Sequence, residues 1–519
     1  MPKFFNTEGF CSPEQHYMVN LDSRLAQIKK MIYAGKYFAI NRGRQYGKTT
    51  IIKALAKYLK EDYVVASLDF QFIDSSEYQE VSSFVNAFSG LLWKKPLLRN
   101  TMSTEIQNQV KTLKDRSNTN LKFSDLFDFL NEWCAESEKP IVLIIDEADS
   151  ASNNQVFLDF LAQLRGYYLD RLEVPTFHSV ILAGVHDIRN LKQKIRPDSE
   201  HKHNSPWNIA ADFDVDMNFS VQDITGMLNE YESDFHTGMN ISEMSQLICD
   251  YTSGYPVLVS ALCKMIDEKN LSWTKQGFSE ALKLIYLKKM PLFESLINKL
   301  EDNKDLRTMI EQILFEGSKF PYNSDDAVIS ALAMYGFIKN DNGAAVIANR
   351  IFETRIYNWL LSVYKTSSEL SQAGITEKSQ FIDGNNLNME RILLKFAEHY
   401  TELYGDKPEK FKEDDGRKLF LLYLRPIING TGNYYVEART RNNRRTDVII
   451  DYLGRQYIVE LKIWHGERYN ADGEQQISEY LDYYHLDKGY MLSFSFNKNK
   501  SAGLHTEQIN GKTLIEVIV

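Results

Sequence analysis

Apolar residues in the first half of the chain come in two kinds of run that take turns. Short stretches rich in β-branched and aromatic side chains, at 37–41, 63–70, Ile141–Asp146 and Ser179–Gly184, read as strands. Between them, 49–60 and 122–135 repeat apolar positions at the three- and four-residue spacing of a helix. Strands alternating with helices predict an α/β region, a parallel sheet with helices on both faces, running from about residue 5 to 265. The run 141–145 has no polar face, which places that strand centrally.

The texture then changes. Residues 268–370 read as helices, at 306–315 and 324–334 among others, followed by a hairpin at 336–347 around Asn342-Gly343, a pair suited to a turn with positive φ. Two helices and a hairpin resemble a winged helix, but the helix before the hairpin carries Asp325 and Asp326 and no arginine, so it reads as a packing or relay module. Residues 366–388 are polar and read as a linker. From 376 to 519 the pattern gives helices at 389–403 and 414–424 and strands at 434–439, 446–452 and 456–463. A helix at 473–484 and strands at 489–496 and 513–518 complete a second α/β unit.

The 519 residues suit about three domains. The net charge of −10 argues against a protein that coats nucleic acid over its whole surface, but not against a local basic groove. Residues 376–519 hold 20 basic and 22 acidic side chains, so any DNA contact there must be local. Cys11, Cys134, Cys249 and Cys263 are spaced for neither a zinc site nor a disulfide framework. With no apolar run of signal-peptide or membrane-span length, the expectation is a cytoplasmic protein with reduced thiols and no membrane contact.

The first candidate chemistry lies between the strand at 37–41 and its helix, in Arg42-Gly43-Arg44-Gln45-Tyr46-Gly47-Lys48-Thr49-Thr50. In a phosphate-binding P-loop, backbone N–H groups and the helix dipole cradle the anion, a lysine reaches the β- and γ-phosphates, and a hydroxyl binds Mg²⁺. Gly47, Lys48 and Thr49 occupy those places. The first glycine of the generic pattern is replaced by Arg42, with Gly43 one step later. The strand Ile141–Asp146 ends in Asp146-Glu147, where Mg²⁺-nucleotide binds at the carboxyl edge of such a sheet. Asp146 is the candidate for the Mg²⁺ shell and Glu147 for polarising the attacking water. His186 reads either as a γ-phosphate sensor or as a surface histidine, and Arg165 and Arg189 are candidate charge stabilisers.

This loop, the IIDEAD strand, SPWNIA at 205–210 and TSGYP at 252–256 together resemble the AAA-ATPase-like family of bacterial proteins. In that family arginine commonly stands at the first glycine position. The resemblance therefore implies ATP binding by Arg42, Gly43, Arg44, Gly47, Lys48, Thr49 and Thr50, with Asp146 and Thr49 on the Mg²⁺.

The second constellation is Asp447 on one strand and Glu460-Leu461-Lys462 on the next, joined by a short turn around Gly454. Alternation puts Glu460 and Lys462 on one face and Val459, Leu461 and Ile463 on the other. An aspartate and a glutamate sharing a site suit Mg²⁺ or Mn²⁺, which would acidify a bound water and stabilise charge on a phosphodiester oxygen, while Lys462 orients that water. Arg439, Arg441, Arg444 and Arg445 nearby read either as a solvated turn or as a phosphate clamp.

An acid on an upstream helix (Glu413, with Asp414 and Asp415 competing), a hairpin with D and E-x-K, and a helix carrying Gln476 and Tyr480 resemble the PD-(D/E)XK nuclease superfamily, which has a restriction-endonuclease-like fold. By that resemblance Asp447, Glu460, Lys462 and Gln476 are catalytic, and Asp447, Glu460 and Glu413 bind metal. The expected function is an ATP-binding and hydrolysing protein coupled to a metal-dependent phosphodiesterase acting on DNA. The alternative is a nucleotide-switched binding module that grips nucleic acid or protein without cutting. A homo-oligomer is compatible with either.

Overall fold

All six residues of Ile141–Asp146 are buried, and so are all six of Ser179–Gly184, because neither strand has a polar face to turn outward. They are the inner strands of a four-stranded sheet. The computed structural model describes residues 3–151, 154–184, 207–315, 318–364, 369–384, 386–405, 411, 413–428, 432–435, 448–453, 455–463, 477–478, 481–482, 486–496 and 503–519. In it β1 (Phe38–Asn41), β2 (Val64–Asp69), β3 (Ile141–Asp146) and β4 (Ser179–Gly184) lie in the order β1-β4-β3-β2, every pair parallel. Alternation splits β3 between two cores: Leu143 and Ile145 pack with Leu68, Leu182 and Phe157, while Val142 and Ile144 pack with Phe38, Ile40 and Ile181.

The chain divides into two compact units. The first is Met1–Cys249, Gly254–Lys264 and the short stretch Met334–Gly336, and contains this sheet. The second is Asp250–Ser253, Met265–Ala333 and Phe337–Val519. Two aperiodic segments also build the first unit. Phe5, Tyr17 and Val19 are buried ahead of the first helix, and Trp207, Val215 and Met217 are buried after β4. The Ala211 N–H donates to the Tyr37 carbonyl at 2.8 Å, tying the second of these segments alongside β1.

In the second unit, β5 (Phe320–Pro321), β6 (Ile338–Asp341) and β7 (Ala344–Ile347) form an antiparallel sheet in the order β5-β7-β6. Asn342 and Gly343 turn the hairpin at φ 52° and 83°, as the Asn-Gly pair predicts. Asp326 caps the helix Ala327–Met334: its Oδ1 accepts from the N–H groups of Val328 and Ile329 at 2.8 and 3.0 Å.

The linker expected at 366–388 is corrected by the structure. Its described residues form a helix, Glu369–Glu377, a 3₁₀ turn, Lys378–Phe381, and a small hairpin of β8 (Ile382–Asp383) and β9 (Asn386–Leu387). Tertiary packing overrides the polar composition. Leu370 and Phe381 are fully buried, the Tyr423 hydroxyl donates to Glu377 at 2.9 Å, and a Cβ on Gly374 would come within 2.3 Å of the Tyr423 carbonyl.

The last sheet is mixed. β10 (Gly432–Tyr435), β11 (Val448–Tyr452), β12 (Arg455–Ile463), β13 (Lys488–Phe494), β14 (Gly503–Ile509) and β15 (Lys512–Ile518) lie in the order β10-β11-β12-β13-β15-β14. The β11–β12 pair is antiparallel, whereas β12–β13 and β13–β15 are parallel. The edge strand β14 was not expected from the sequence, because its exposed side chains give no apolar alternation. Among the described residues no helix is long and apolar enough to cross a membrane, and all four cysteines are free thiols.

Candidate functional site

The loop after β1 is built by glycine and by left-handed backbone. Gly47 caps the helix Lys48–Tyr58 at φ 79°, and Gln45 sits at φ 56°. As a glycine, Gly47 gives the first-turn N–H groups no side-chain cap, which suits that helix end to an anion. Gly43 is needed for space: a Cβ there would come within 2.9 Å of the Tyr335 carbonyl and 3.2 Å of the Tyr255 hydroxyl. The Tyr255 hydroxyl donates to the Arg44 carbonyl at 2.8 Å, which pins the loop's far side.

Lys48 is 8% exposed, and its Nζ donates to the carbonyls of Arg42 and Gly43 at 2.8 and 3.0 Å. Burial pushes its ammonium below the usual lysine range, against the opposing pull of Asp149, Glu147 and Asp146. Asp146 ends β3 beside Asp69, the last residue of β2. Burial lifts the Asp146 carboxyl above its usual range, although the Thr49 hydroxyl and the Glu147 N–H donate to it. Glu147 is raised too, first by burial and then by the charge of Asp146, and it occupies a left-handed φ of 53°. Thr49 and Asp146 thus share a hydrogen bond at the foot of the loop, an oxygen donor set suited to a hard cation.

Two other residues named from the sequence are turned to structural work. The Arg42 guanidinium donates to the Val215 carbonyl at 3.3 Å and lies over the Phe213 ring, and Thr50 Oγ1 accepts from the Cys11 N–H at 3.0 Å. Arg165 is half-buried on the helix Gln155–Leu169. His186, Arg189 and the start of SPWNIA lie outside the described residues.

A cleft open to solvent adjoins the loop and is lined by Thr7, Arg24, Tyr46, Gly47, Met217 and Phe219 among others. Gln45 Oε1, which faces this cleft, and Asn41 Oδ1 are buried with no hydrogen-bond partner among the described residues. Sequence reasoning missed Asp69, and gave no role to Asp149 and Tyr255 although they lie in the IIDEAD and TSGYP motifs respectively. Asp69 was signalled by its place at a strand's carboxyl end. Asp149 is fixed by Gly184, where a Cβ would lie 1.9 Å from its Oδ1.

In the last sheet Glu460 is fully buried, and Lys462 Nζ lies 3.0 Å from its Oε1, so both side chains share one face of β12 as alternation predicts. Ile449, Ile458 and Met491 of the same sheet cluster with Ile477. Ser493, aligned with Lys462 on β13, donates to the buried carboxylate of Glu516 on β15, a pair the sequence reading did not single out. The signal was there, in polar residues inside otherwise apolar strands. Asp447 and Gln476 lie outside the described residues, as do Arg439, Arg441, Arg444, Arg445, Tyr480 and the side chains of Glu413 and Asp414. Among the described residues no group of three or more His, Cys, Asp or Glu side chains gathers as a metal site.

Three solved structures show what the chain is similar to. The Walker-type ATPase PABY2304 of Pyrococcus abyssi aligns at 12% identity and TM-score 0.44, covering 68% of this chain and 99% of that one. The Aeropyrum pernix ORC2 protein, in ADPNP–ADP complexes, aligns at 12% identity and TM-score 0.34, covering 65% and 93%. The Aeropyrum pernix ORC1 protein, in complex with DNA, aligns at 10% identity and TM-score 0.29, covering 67% and 94%. No curated protein matches the chain. A family model described as an AAA-like domain matches residues 12–357, well over half the sequence, and with a phosphate loop, a central acidic strand and a parallel sheet in place, the chain belongs to that AAA-like family.

Proposed function

We propose that the chain binds ATP with Mg²⁺ at the 42–49 loop and hydrolyses it, and that this is coupled to a metal-dependent phosphodiesterase in residues 376–519 acting on DNA. The observation that carries the proposal is Lys48, buried at an uncapped helix terminus and held by two loop carbonyls beside three carboxylates. A polyphosphate entering there would exchange those carbonyls for its own oxygens and relieve the cost of the buried ammonium. The adjoining cleft, apolar along Met217 and Phe219, would take the base. Thr49 and Asp146 would hold the Mg²⁺, which supplies charge neutralisation between phosphate oxygens. Glu147, with a carboxyl already raised, would accept a proton from attacking water.

For the second half, support comes from the buried Glu460–Lys462 pair and from the register Val448↔Val459. One further step of that antiparallel ladder would carry position 447 to the level of 460. Asp447, Glu460 and, from the helix Glu413–Ile428, Glu413 would then ligate Mg²⁺ or Mn²⁺, with Lys462 and Gln476 positioning water. Purified chain should cut DNA with Mg²⁺ or Mn²⁺, with a rate that responds to ATP, and Glu460→Gln should abolish cutting. Wild-type protein that binds ATP and is inert on varied DNA under every metal would leave a nucleotide-switched binding module. Wild type unresponsive to ATP would overturn the first half independently.

A further inference from the structure

Three cations converge on one indole ring in the first unit. The Arg99 guanidinium carbon lies 4.7 Å from the Trp93 ring centroid, Lys111 Nζ 5.3 Å and Lys114 Nζ 5.5 Å. Residues 93–116 carry six lysines and arginines against Glu105 and Asp115, in a chain of net charge −10. Lys94, Lys95 and Lys111 are exposed, and Trp93, Arg99 and Lys114 are half-buried. Arg116 is held by Glu77 at 2.7 Å, but among the described residues none of Arg99, Lys111 and Lys114 makes an ion pair.

Local structure brings these groups together. Trp93 ends the helix Val81–Trp93, Arg99 ends the helix Pro96–Arg99, and Lys114 is the C-cap of the helix Thr104–Leu113. Helix C-termini attract cations, which explains why each end carries one. It does not account for the surplus: Lys94 caps Val81–Trp93, Arg99 and Lys114 serve the other two helix ends, and Lys95 and Lys111 add positive charge beyond these. Like charges so close repel unless an anion sits among them. We propose that this patch binds the phosphodiester backbone of a nucleic-acid strand, with Trp93 offering a ring on which a base can stack. Cations grouped around an aromatic face are the chemistry of such surfaces. A lipid surface fits less well, because Leu97 is the one large apolar side chain of the segment in the open, and interfacial binding needs an apolar face. The assignment goes beyond the phosphodiesterase reading and places nucleic-acid contact on the AAA-like unit itself.

The test is fluorescence anisotropy of the full chain with a labelled single-stranded oligonucleotide of about 30 nucleotides, in EDTA to prevent cutting, between about 50 and 200 mM salt. Wild type should bind with a steep salt dependence. Lys111→Glu with Lys114→Glu should weaken binding at least about tenfold and reduce the salt slope by about 1.4, two contacts' worth for a single strand. Lys111→Gln with Lys114→Gln reads the same contacts if charge reversal lowers the melting temperature. Glu460→Gln, the cutting variant, should bind as wild type does. The proposal fails if the lysine variants bind like wild type, if Glu460→Gln alone loses binding, or if wild type takes up phosphatidylserine vesicles and no oligonucleotide.

Discussion

The two sheets carry their charged groups in opposite ways. β3 is apolar until its last residue, Asp146, whose carboxylate accepts from the Thr49 hydroxyl at the foot of the phosphate loop. β12 puts Glu460 in mid-strand, fully buried, and answers it two residues on with Lys462 at 3.0 Å. At a strand's carboxyl end the next N–H, here that of Glu147, and a loop hydroxyl, here Thr49, can donate to the carboxylate, so it can wait for a cation despite its burial. Inside a sheet neither is available, and the charge must be met by a neighbouring side chain from the start.

That difference is broken most sharply at Lys462. Lys462→Ala removes the cation beside the fully buried Glu460 carboxylate and should cost about 3–5 kcal/mol in urea unfolding, the range for removing one partner of a buried pair. Replacing both, Glu460→Leu with Lys462→Met, should recover most of that loss. A Lys462→Ala variant within about 1 kcal/mol of wild type would mean that the pair is not buried as described.

Lys48 should behave the other way. Its folded pKa lies below the usual value, so burial of the ammonium is a cost to the fold, and Lys48→Met should leave the nucleotide-free melting temperature unchanged or raise it. The same variant should lose at least about a hundredfold in ATP·Mg²⁺ affinity by calorimetry, roughly 2.7 kcal/mol. A variant that melts early and still binds ATP would invert the contrast.

The phosphate loop and the strand beneath it were legible in the sequence because every part of that signal is local. β3 and β4 match the expected ranges to the residue, and Gly47-Lys48-Thr49 follows β1 within eight positions. The Asn342-Gly343 hairpin was legible for the same reason: its φ values are a property of the dipeptide. What failed was whatever depends on distant partners. Nothing in the polar run 366–388 announces that Leu370 and Phe381 are buried or that Gly374 lies against Tyr423. Tyr255 reaches the phosphate loop from 211 residues away, and no spacing rule spans that. Arg42 was named from its place in the loop, but its guanidinium answers to Val215 and Phe213, residues of an aperiodic segment. The carboxylate–lysine strand stands between these cases, since alternation gave the shared face of Glu460 and Lys462, while Ser493 and Glu516 entered through the register of β13 and β15.

Asp146 and Asp223 carry the comparison into a single unit, at a smaller scale. Asp146 has a folded pKa above its usual one, so whatever stability its protonated form gives is present at low pH and lost as pH rises through that value. Asp146→Asn should therefore slightly stabilise the nucleotide-free protein at neutral pH, and should remove the weakening of ATP·Mg²⁺ binding that acidification causes in wild type. Asp223 is the reverse. Burial lifts its carboxyl, but Arg24 at 2.9 Å and the N–H and hydroxyl of Ser220 at 2.8 and 2.9 Å outweigh burial and hold it low. Its stability is present above the unfolded pKa and lost as pH falls through the folded one. Ser220→Ala removes one of those donors together with the cap that Ser220 Oγ gives the Asp223 N–H, and should cost about 1 kcal/mol at neutral pH. The cost should narrow on acidification, as Asp223 takes up its proton and needs the hydroxyl less. Urea titrations of the two variants across the carboxylate range should then move in opposite directions. If they move together, Asp146 is an ordinary satisfied carboxylate, and the reason for reading it as a cation's seat is gone.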